Sequence, residues 1–149
     1  MSDDPGQPGS SATVLVSDRQ TVPVDRDGLI ELARTTLRGE GLGPVELSVS
    51  FVEDAEMAEL HVRYMDEAGP TDVLSFPLDD EEHEGVRVLG DVVIAPAVAA
   101  RNNPEDLAAE LRLLLVHGIL HILGYDHETA EERASMWARQ ERYSGVRTP

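Results

Sequence analysis

The chain has 149 residues, of which 41% are hydrophobic, 12 are basic and 29 are acidic, and its formal net charge is -17. This length and hydrophobic content favour a single domain with one core of moderate size. The negative charge excludes a protein that binds nucleic acid through a broadly basic surface, and the absence of cysteine excludes disulfides and thiolate metal sites.

The N-terminal region differs in composition from the rest of the chain. Residues 1–11 are rich in Gly, Pro, Ser and Asp and predict a disordered tail, because they offer too little apolar surface to fold. One domain over residues 12–149 is expected to follow. No apolar run approaches the roughly 20 residues that span a bilayer, and the N-terminus does not resemble a signal peptide. We therefore expect a cytoplasmic protein without membrane contacts.

Strands and helices alternate in the first half of the predicted domain. A short strand at residues 14–16 precedes a helix that begins at about Asp25 and ends near Gly39. Residues 45–51 alternate apolar and polar side chains, which predicts a strand with one buried face. A second helix follows over about residues 54–65.

The second half predicts two further strands. Residues 71–76 are β-branched and aromatic enough for a strand that Pro77 ends, and residues 86–95 form the next strand. Between them, residues 79–85 are mostly acidic and predict a solvent-exposed loop. Their carboxylates lack the spacing and the central glycine of a calcium loop, and His83 beside them is expected to be exposed to solvent.

The longest predicted helix is also the most apolar. It begins with Asn103 as the N-cap and Pro104 at the first helical position, and it ends at Leu123. Apolar residues cover nearly every direction around its axis, so it is expected to be buried on most sides. A capping box at Thr129 opens a last helix that extends to about residue 143. These elements predict an α+β fold with about four strands in a mixed sheet, packed around the buried central helix.

Three of the five histidines fall within the stretch HGILHILGYDH. His117 and His121 are four residues apart and lie on one face of the central helix, and a chain reversal at a left-handed Gly124 can return His127 towards them. Three such imidazoles would be costly to desolvate without a common partner, and a divalent metal would take up their lone pairs. Zinc fits best and leaves a fourth position for a catalytic water, although nickel, cobalt and copper also accept these ligands.

The spacing of these histidines is shared with a known class of hydrolases. The pattern H-x-x-x-H-x-x-G-x-x-H is the metal-binding frame of the metzincin metalloproteases, in which a glutamate directly after the first histidine is the general base. Here that position is Gly118. A peptidase would therefore lack the group that deprotonates its water. A residue without a side chain instead lets a neighbouring element approach the helix closely.

Three motifs together resemble the YbeY family, the bacterial single-strand-specific endoribonucleases that mature ribosomal RNA. They are HGILHILGYDH, PTDVLSFP at residues 70–77 and LGDVVIAP at residues 89–96, and the resemblance extends over roughly residues 12–145. It implies a small α+β metalloprotein with one zinc per chain, held by the three histidines of the first motif. It also implies processing of the 3′ end of small-subunit ribosomal RNA, ribosome quality control, and contact with the small ribosomal subunit or a ribosomal protein rather than with DNA.

One departure from the family pattern concerns the helix before the second motif. Family members usually have Tyr-Arg there, with an asparagine nearby, and the resemblance implies that the arginine serves activity. The corresponding residues here are Tyr64, Met65 and His61. Arg63 lies two residues before Met65, which is a rotation of about 200° along a helix, so it would point elsewhere. An active-site role for Arg63 and an ordinary exposed arginine stay open as alternatives.

Further candidate residues lie near the motifs. Asp126 can orient a ligand imidazole, accept a proton or merely cap the following helix, and Thr71 and Ser75 are candidates for substrate binding. Whether a metal-activated water or the ribose 2′-hydroxyl attacks phosphorus is left open. Three functions follow as alternatives: a zinc-dependent endoribonuclease acting on ribosomal RNA precursors, a metal-dependent hydrolase of peptides, and a non-catalytic ribosome-assembly factor with a structural zinc.

Overall fold

A computed structural model describes residues 12–126 and 128–146, and for residues 79–81 and 83 it describes the backbone alone. In chain order the elements are β1 (Ala12–Arg19), α1 (Arg26–Gly39), β2 (Val45–Val52), α2 (Asp54–Met65), β3 (Val73–His83), β4 (Val86–Ile94), α3 (Pro96–Asn102), α4 (Leu107–Ile122) and α5 (Ala130–Ser144). The predicted disordered tail, residues 147–149 of the predicted domain and the exposure of the His83 side chain lie outside this description.

The four strands form one mixed sheet in the order β1-β2-β4-β3. β1 and β4 both run parallel to β2, and β3 pairs antiparallel with β4 at one edge of the sheet. The alternating pattern of β2 produces the expected buried face, on which Val45, Leu47, Val49 and Phe51 are all buried. The predicted α+β class with a four-stranded mixed sheet is therefore confirmed.

Helices cover both faces of the sheet. α1 and α4 pack in the main core on the face formed by the odd-numbered residues of β2. α2 covers the other face, where Met57 packs with Val52 and Leu74. α5 packs outside α4 through contacts such as that of Met136 with Leu120. α4 thus lies between the sheet and α5, and it is buried on most sides as its apolar composition predicts.

Local capping interactions explain where two of the predicted helices begin. The Asp25 carboxylate accepts a hydrogen bond from the Gly28 N–H at 3.1 Å and caps α1. Thr129 and Glu132 form the predicted capping box at the start of α5.

Across the part of the chain that the structure describes, every helix is too short or too polar to cross a membrane.

The prediction that Pro77 ends the third strand and that residues 79–85 form a loop is wrong. β3 continues through Pro77 as an 11-residue strand, and it turns into β4 at Glu84 and Gly85, which have φ values of 55° and 81°. A proline is tolerated inside β3 because an edge strand has one side of its backbone without a ladder partner. The pairing with β4 also shifts register between Pro77 and Glu81, as happens at a β-bulge.

The prediction that the central helix starts at Asn103 and Pro104 is also wrong. Asn103 instead ends α3, a 7-residue helix that was not predicted and that begins with Pro96. α4 begins after Asp106, whose carboxylate caps it by accepting a hydrogen bond from the Ala109 N–H at 3.0 Å. The Asn103 side chain accepts one from the Asp106 N–H at 3.2 Å. Residues 103–106 therefore form a turn between two helices. Asn103 is the C-cap of α3, and Asp106 is the N-cap of α4.

Candidate metal centre

The last turns of α4 present two half-buried histidines. His117 and His121 lie on one face of the helix, with ring centroids 4.6 Å apart and ring planes at 76° to each other. α4 packs against β3, β4, α1, α3 and α5, so the backbone that holds both rings is fixed on several sides. Two imidazoles this close together, on a rigid element, are suited to ligate one ion.

α4 ends in the backbone turn that the sequence predicts. Gly124 has φ +100°, its N–H donates to the carbonyl of His121, and the Tyr125 N–H donates to the carbonyl of Leu120, each at 3.0 Å. These two bonds define a Schellman motif, which reverses the chain directly after the histidines. His127 lies outside the described residues. Within residues 12–126 and 128–146 no three His, Cys, Asp or Glu side chains gather as a metal-binding group.

An open pocket of about 320 Å³ lies over the histidine pair, at the outer edge of the sheet. Besides His117 and His121, its lining includes Met65 at the end of α2 and Ser75 and Pro77 of β3. The Ser75 hydroxyl donates a hydrogen bond to the carbonyl oxygen of Gly118 at 2.9 Å. This bond ties the edge strand to the histidine helix, so the two walls of the pocket are held in a fixed relation.

Gly118 is the point of closest approach between α4 and the sheet. A Cβ atom at this position would lie 2.7 Å from Cγ1 of Val92 and 3.2 Å from Oγ of Ser75, and the first of these distances is shorter than packed atoms allow. The predicted structural role of Gly118 is therefore confirmed. The same geometry leaves no room for a glutamate beside the first histidine, where a metzincin has its general base.

Gln140, on α5, contacts the ring of His117, on α4. Its amide oxygen Oε1 lies 2.7 Å from Nδ1 of His117, and an amide oxygen can only accept, so Nδ1 carries the proton. The neutral ring then has its lone pair on Nε2. This is the tautomer that an imidazole needs to ligate a metal through Nε2, so the donors present fit a divalent ion such as zinc.

A second polar cluster holds the turn that follows α4. The Glu40 carboxylate, whose side chain is 9% exposed, accepts hydrogen bonds from the hydroxyls of Tyr125 and Tyr143, both at 2.6 Å. Arg139 donates to the Tyr125 hydroxyl at 2.5 Å. Burial raises the pKa of Tyr143 to about 12, with further contributions from the hydrogen bond to Glu40 and the charge of that carboxylate. The cluster joins the end of α1, the turn after α4 and α5.

The structure brings together only part of the predicted site. Ser75 lies at the pocket with the two described histidines, and Met65 lines it as well. Arg63 is exposed on α2. Thr71 and Asp126 are half-buried, and neither they nor Arg63 belong to the pocket lining that the described residues form.

The sequence prediction did not include Gln140 or Glu40. A signal for Gln140 existed, because it falls between Met136 and Ser144 at four-residue spacing on the buried face of α5, and a large polar side chain in such a stripe calls for a partner. No local pattern links Glu40 to a tyrosine 103 residues later.

The fold and the site together define a class of protein. It is an α+β domain in which a helix buried against a mixed sheet presents a histidine pair to a pocket at the edge strand, with no room for the general base of a metzincin protease. A histidine pair that lines an open pocket is an arrangement typical of metal-dependent hydrolases.

Comparisons with known proteins agree with this class. The family model described as Endoribonuclease YbeY matches residues 16–145. Relatives named Endoribonuclease YbeY include one from Acidothermus cellulolyticus, 45% identical over 86% of this chain and 87% of the relative, and one from Thermobifida fusca, 46% identical over 86% and 89%. The solution structure of TM1509 from Thermotoga maritima is similar at a TM-score of 0.57, with 27% identity, 90% of this chain covered and 87% of that one. The chain belongs to the YbeY family of endoribonucleases, and it is therefore an enzyme of the hydrolytic nuclease class.

Proposed function

We propose that this chain is a zinc-dependent, single-strand-specific endoribonuclease that matures the 3′ end of small-subunit ribosomal RNA and takes part in ribosome quality control. One zinc per chain would be held by His117, His121 and His127. The observation that supports the proposal most directly is the histidine pair of α4, whose rings lie 4.6 Å apart and line a pocket open at the edge of the sheet. The family to which the chain belongs is named for endoribonuclease activity.

Zinc suits the donors that this chain offers. The chain has no cysteine, and catalytic zinc sites commonly use three protein ligands, with imidazole nitrogens at about 2.0–2.1 Å. When bound, such an ion lowers the pKa of water towards about 7 and withdraws charge from a phosphoryl oxygen, which are the two demands of phosphodiester hydrolysis. The role of helix α4 would be to hold the two imidazoles together on one of its faces, in the wall of the pocket.

Ser75 supplies a polar contact for the substrate. Its hydroxyl proton is engaged by the carbonyl of Gly118, so towards a ligand in the pocket its oxygen acts as an acceptor. An acceptor suits a ribose 2′-hydroxyl, which can donate, and does not suit a phosphate oxygen, which cannot. This contact would favour a ribonucleotide over a deoxyribonucleotide.

An aromatic pair at the end of α2, on the face of β3 opposite to Ser75, offers a surface for a base. Tyr64 and Phe76 contact each other edge to face, with ring centroids 5.2 Å apart and planes at 70°, and their chain neighbours Met65 and Ser75 line the pocket. Tyr64 is 57% exposed. An unpaired base can stack on an exposed ring at little cost, whereas a base in a duplex must first leave its own stack. The pair therefore supports a single-stranded substrate.

The test is cleavage of a precursor of small-subunit ribosomal RNA by the zinc-loaded protein. A chelator and His117→Ala should each abolish cleavage. His61→Ala is the matched histidine control, because His61 lies outside the pocket lining and its Nδ1 contacts the carbonyl of Gly69 at 2.9 Å; it should leave cleavage in place.

Two results would contradict the proposal. A folded, zinc-saturated protein that leaves the RNA intact yet co-sediments with small ribosomal subunits would be an assembly factor. Cleavage of casein, with no cleavage of RNA under the same conditions, would make the chain a peptidase despite the packing at Gly118.

A further inference from the structure

Gln140 differs from the other buried polar side chains of the described residues, which are Thr36 and Ser144. The hydroxyls of Thr36 and Ser144 donate to carbonyls four residues earlier on their own helices, at 2.9 Å and 2.5 Å. The Gln140 amide oxygen instead accepts from the ring of His117 on another helix, at 2.7 Å. Among these three buried polar side chains, Gln140 is therefore the one whose polar group bonds to a side chain of a different helix.

Gln140 is buried, so its amide group needs a hydrogen-bond partner. It is 4% exposed and follows the fully buried Met136 by one turn on the inner face of α5, where an apolar side chain of similar length would also fill space. A buried amide without a partner is unfavourable, and the bond to His117 offsets this cost. That bond decides which nitrogen of His117 carries the proton.

We propose that Gln140 is a positioning residue for the metal centre. By accepting from Nδ1 it keeps His117 in the tautomer with the lone pair on Nε2 and fixes the rotation of the ring in the pocket wall. The inference rests on the proposed metal site and adds to it the group that prepares the first ligand. A partner of this kind both orients a ligating imidazole and raises its donor strength, and losing one typically weakens metal binding by about 10- to 100-fold.

The experiment compares two substitutions of Gln140 in the full chain. Gln140→Met keeps the length of the side chain and removes the acceptor, and Gln140→Glu keeps an acceptor of nearly the same shape. With Zn²⁺ affinity measured by competition against a chelator, Gln140→Met should bind about 10- to 100-fold more weakly than the wild type. Gln140→Glu should bind at least as tightly as the wild type, because a carboxylate is the stronger acceptor.

Ser144→Ala is the matched control. Ser144 is buried on the same face of α5, one turn after Gln140, and its hydroxyl contacts the backbone. It should change thermal stability without changing Zn²⁺ affinity. If Gln140→Met binds Zn²⁺ as the wild type does, or if Gln140→Glu is weakened as much as Gln140→Met, the positioning role is refuted.

A second measurement does not depend on how well the variants fold. Long-range ¹H–¹⁵N correlation spectra of the zinc-free wild type, at a pH where the imidazole is neutral, report which ring nitrogen is protonated. We expect the proton of His117 on Nδ1, and finding it on Nε2 would overturn the inference even if RNA cleavage were intact. Failure of the wild type to bind Zn²⁺ would overturn the metal centre and this inference together, whereas failure of RNA cleavage alone would refute the proposed function and leave the role of Gln140 standing.

Discussion

At position 118 the packing of α4 on the sheet decides the residue type. An alanine in the middle of a helix is ordinarily more favourable than a glycine by about 1 kcal/mol, but here its Cβ would overlap a methyl group of Val92, a fully buried and β-branched residue. Overpacking of a core typically costs about 1–3 kcal/mol. We expect Gly118→Ala to lower the free energy of unfolding in urea denaturation.

The control for this substitution is a double-mutant cycle with Val92→Ala, which removes the overlapping methyl groups. In that background Gly118→Ala should lose most of its penalty, because only the longer contact with Oγ of Ser75 remains. A stabilising effect of Gly118→Ala in the wild-type background would contradict the close approach.

The Glu40 cluster makes stability depend on alkaline pH. The pKa of Tyr143 is raised to about 12 in the folded chain, against about 10 in an unfolded one, so the folded state keeps its phenolic proton longer. The resulting stability is fully present below pH 10 and is lost as the pH rises from 10 towards 12. The chain contains no lysine, the other type of side chain whose ordinary pKa falls in this range.

We expect the free energy of unfolding of the wild type to fall between pH 10 and 12, as followed by denaturant titrations in that range. Tyr143→Phe should show a smaller fall, since it has no proton to lose at this position. Tyr64→Phe is the control, because Tyr64 lies outside the Glu40 cluster, and it should fall as the wild type does. Equal slopes for Tyr143→Phe and the wild type would show that the cluster does not bind the proton more tightly in the folded state.

At the scale of elements, the end of α2 and the edge strand β3 together shape the proposed path of the RNA. If a base stacks on Tyr64, Tyr64→Ala should raise KM for a single-stranded oligoribonucleotide by the loss of about 1–3 kcal/mol of stacking, with kcat little changed. Tyr64→Phe keeps the ring and should keep KM. Trp137→Ala, which removes a 44% exposed aromatic ring from α5, is the matched control. An unchanged KM in Tyr64→Ala would remove the aromatic pair from the substrate path.

The elements that could be predicted from the sequence are those whose signals are local. The helix over Asp54–Met65 and the capping box of α5 follow from patterns within a few residues. The continuation of β3 through Pro77 could not be predicted, because it depends on β3 being the edge strand, and strand order is not a local property. The reason for missing α3 is different, because the cap signals at its end overlap those of α4 within one short polar turn.

In the candidate site, too, the features that could be predicted are those that depend on local spacing. The proximity of His117 and His121 could be predicted, because four-residue spacing on a helix fixes their relation. Their supporting contacts could not be predicted from spacing, because Gln140 and Glu40 come from α5 and from the end of α1. The placement of those helices depends on the packing of the whole domain. In the sequence, Met65 stands out only as a departure from a family pattern, and its position in the pocket wall depends on the tertiary structure.

At the scale of the whole molecule, the charge governs how RNA can approach. With a formal net charge of -17, the protein repels a polyanion, and the pocket residues that the structure describes contain no arginine to offset this. The contacts proposed for Ser75 and the aromatic pair would be with ribose and base rather than with phosphate. Proteins that hold RNA through many phosphates lose affinity steeply with salt, with a slope of about -0.7 per phosphate contact for single strands.

We therefore expect a ribosomal particle, rather than charge attraction, to deliver the substrate. Cleavage of a precursor sequence should be slow as a free oligomer and faster when the same sequence lies within the small ribosomal subunit. On the free oligomer, kcat/KM should stay level or rise between low and physiological salt, because added salt screens the repulsion. Single-turnover rates at matched RNA concentration compare cleavage of the free oligomer directly with cleavage of the same sequence in the small ribosomal subunit. Equal rates on both, or a steep loss of kcat/KM with salt, would show instead that the chain gathers its RNA through a basic surface of its own.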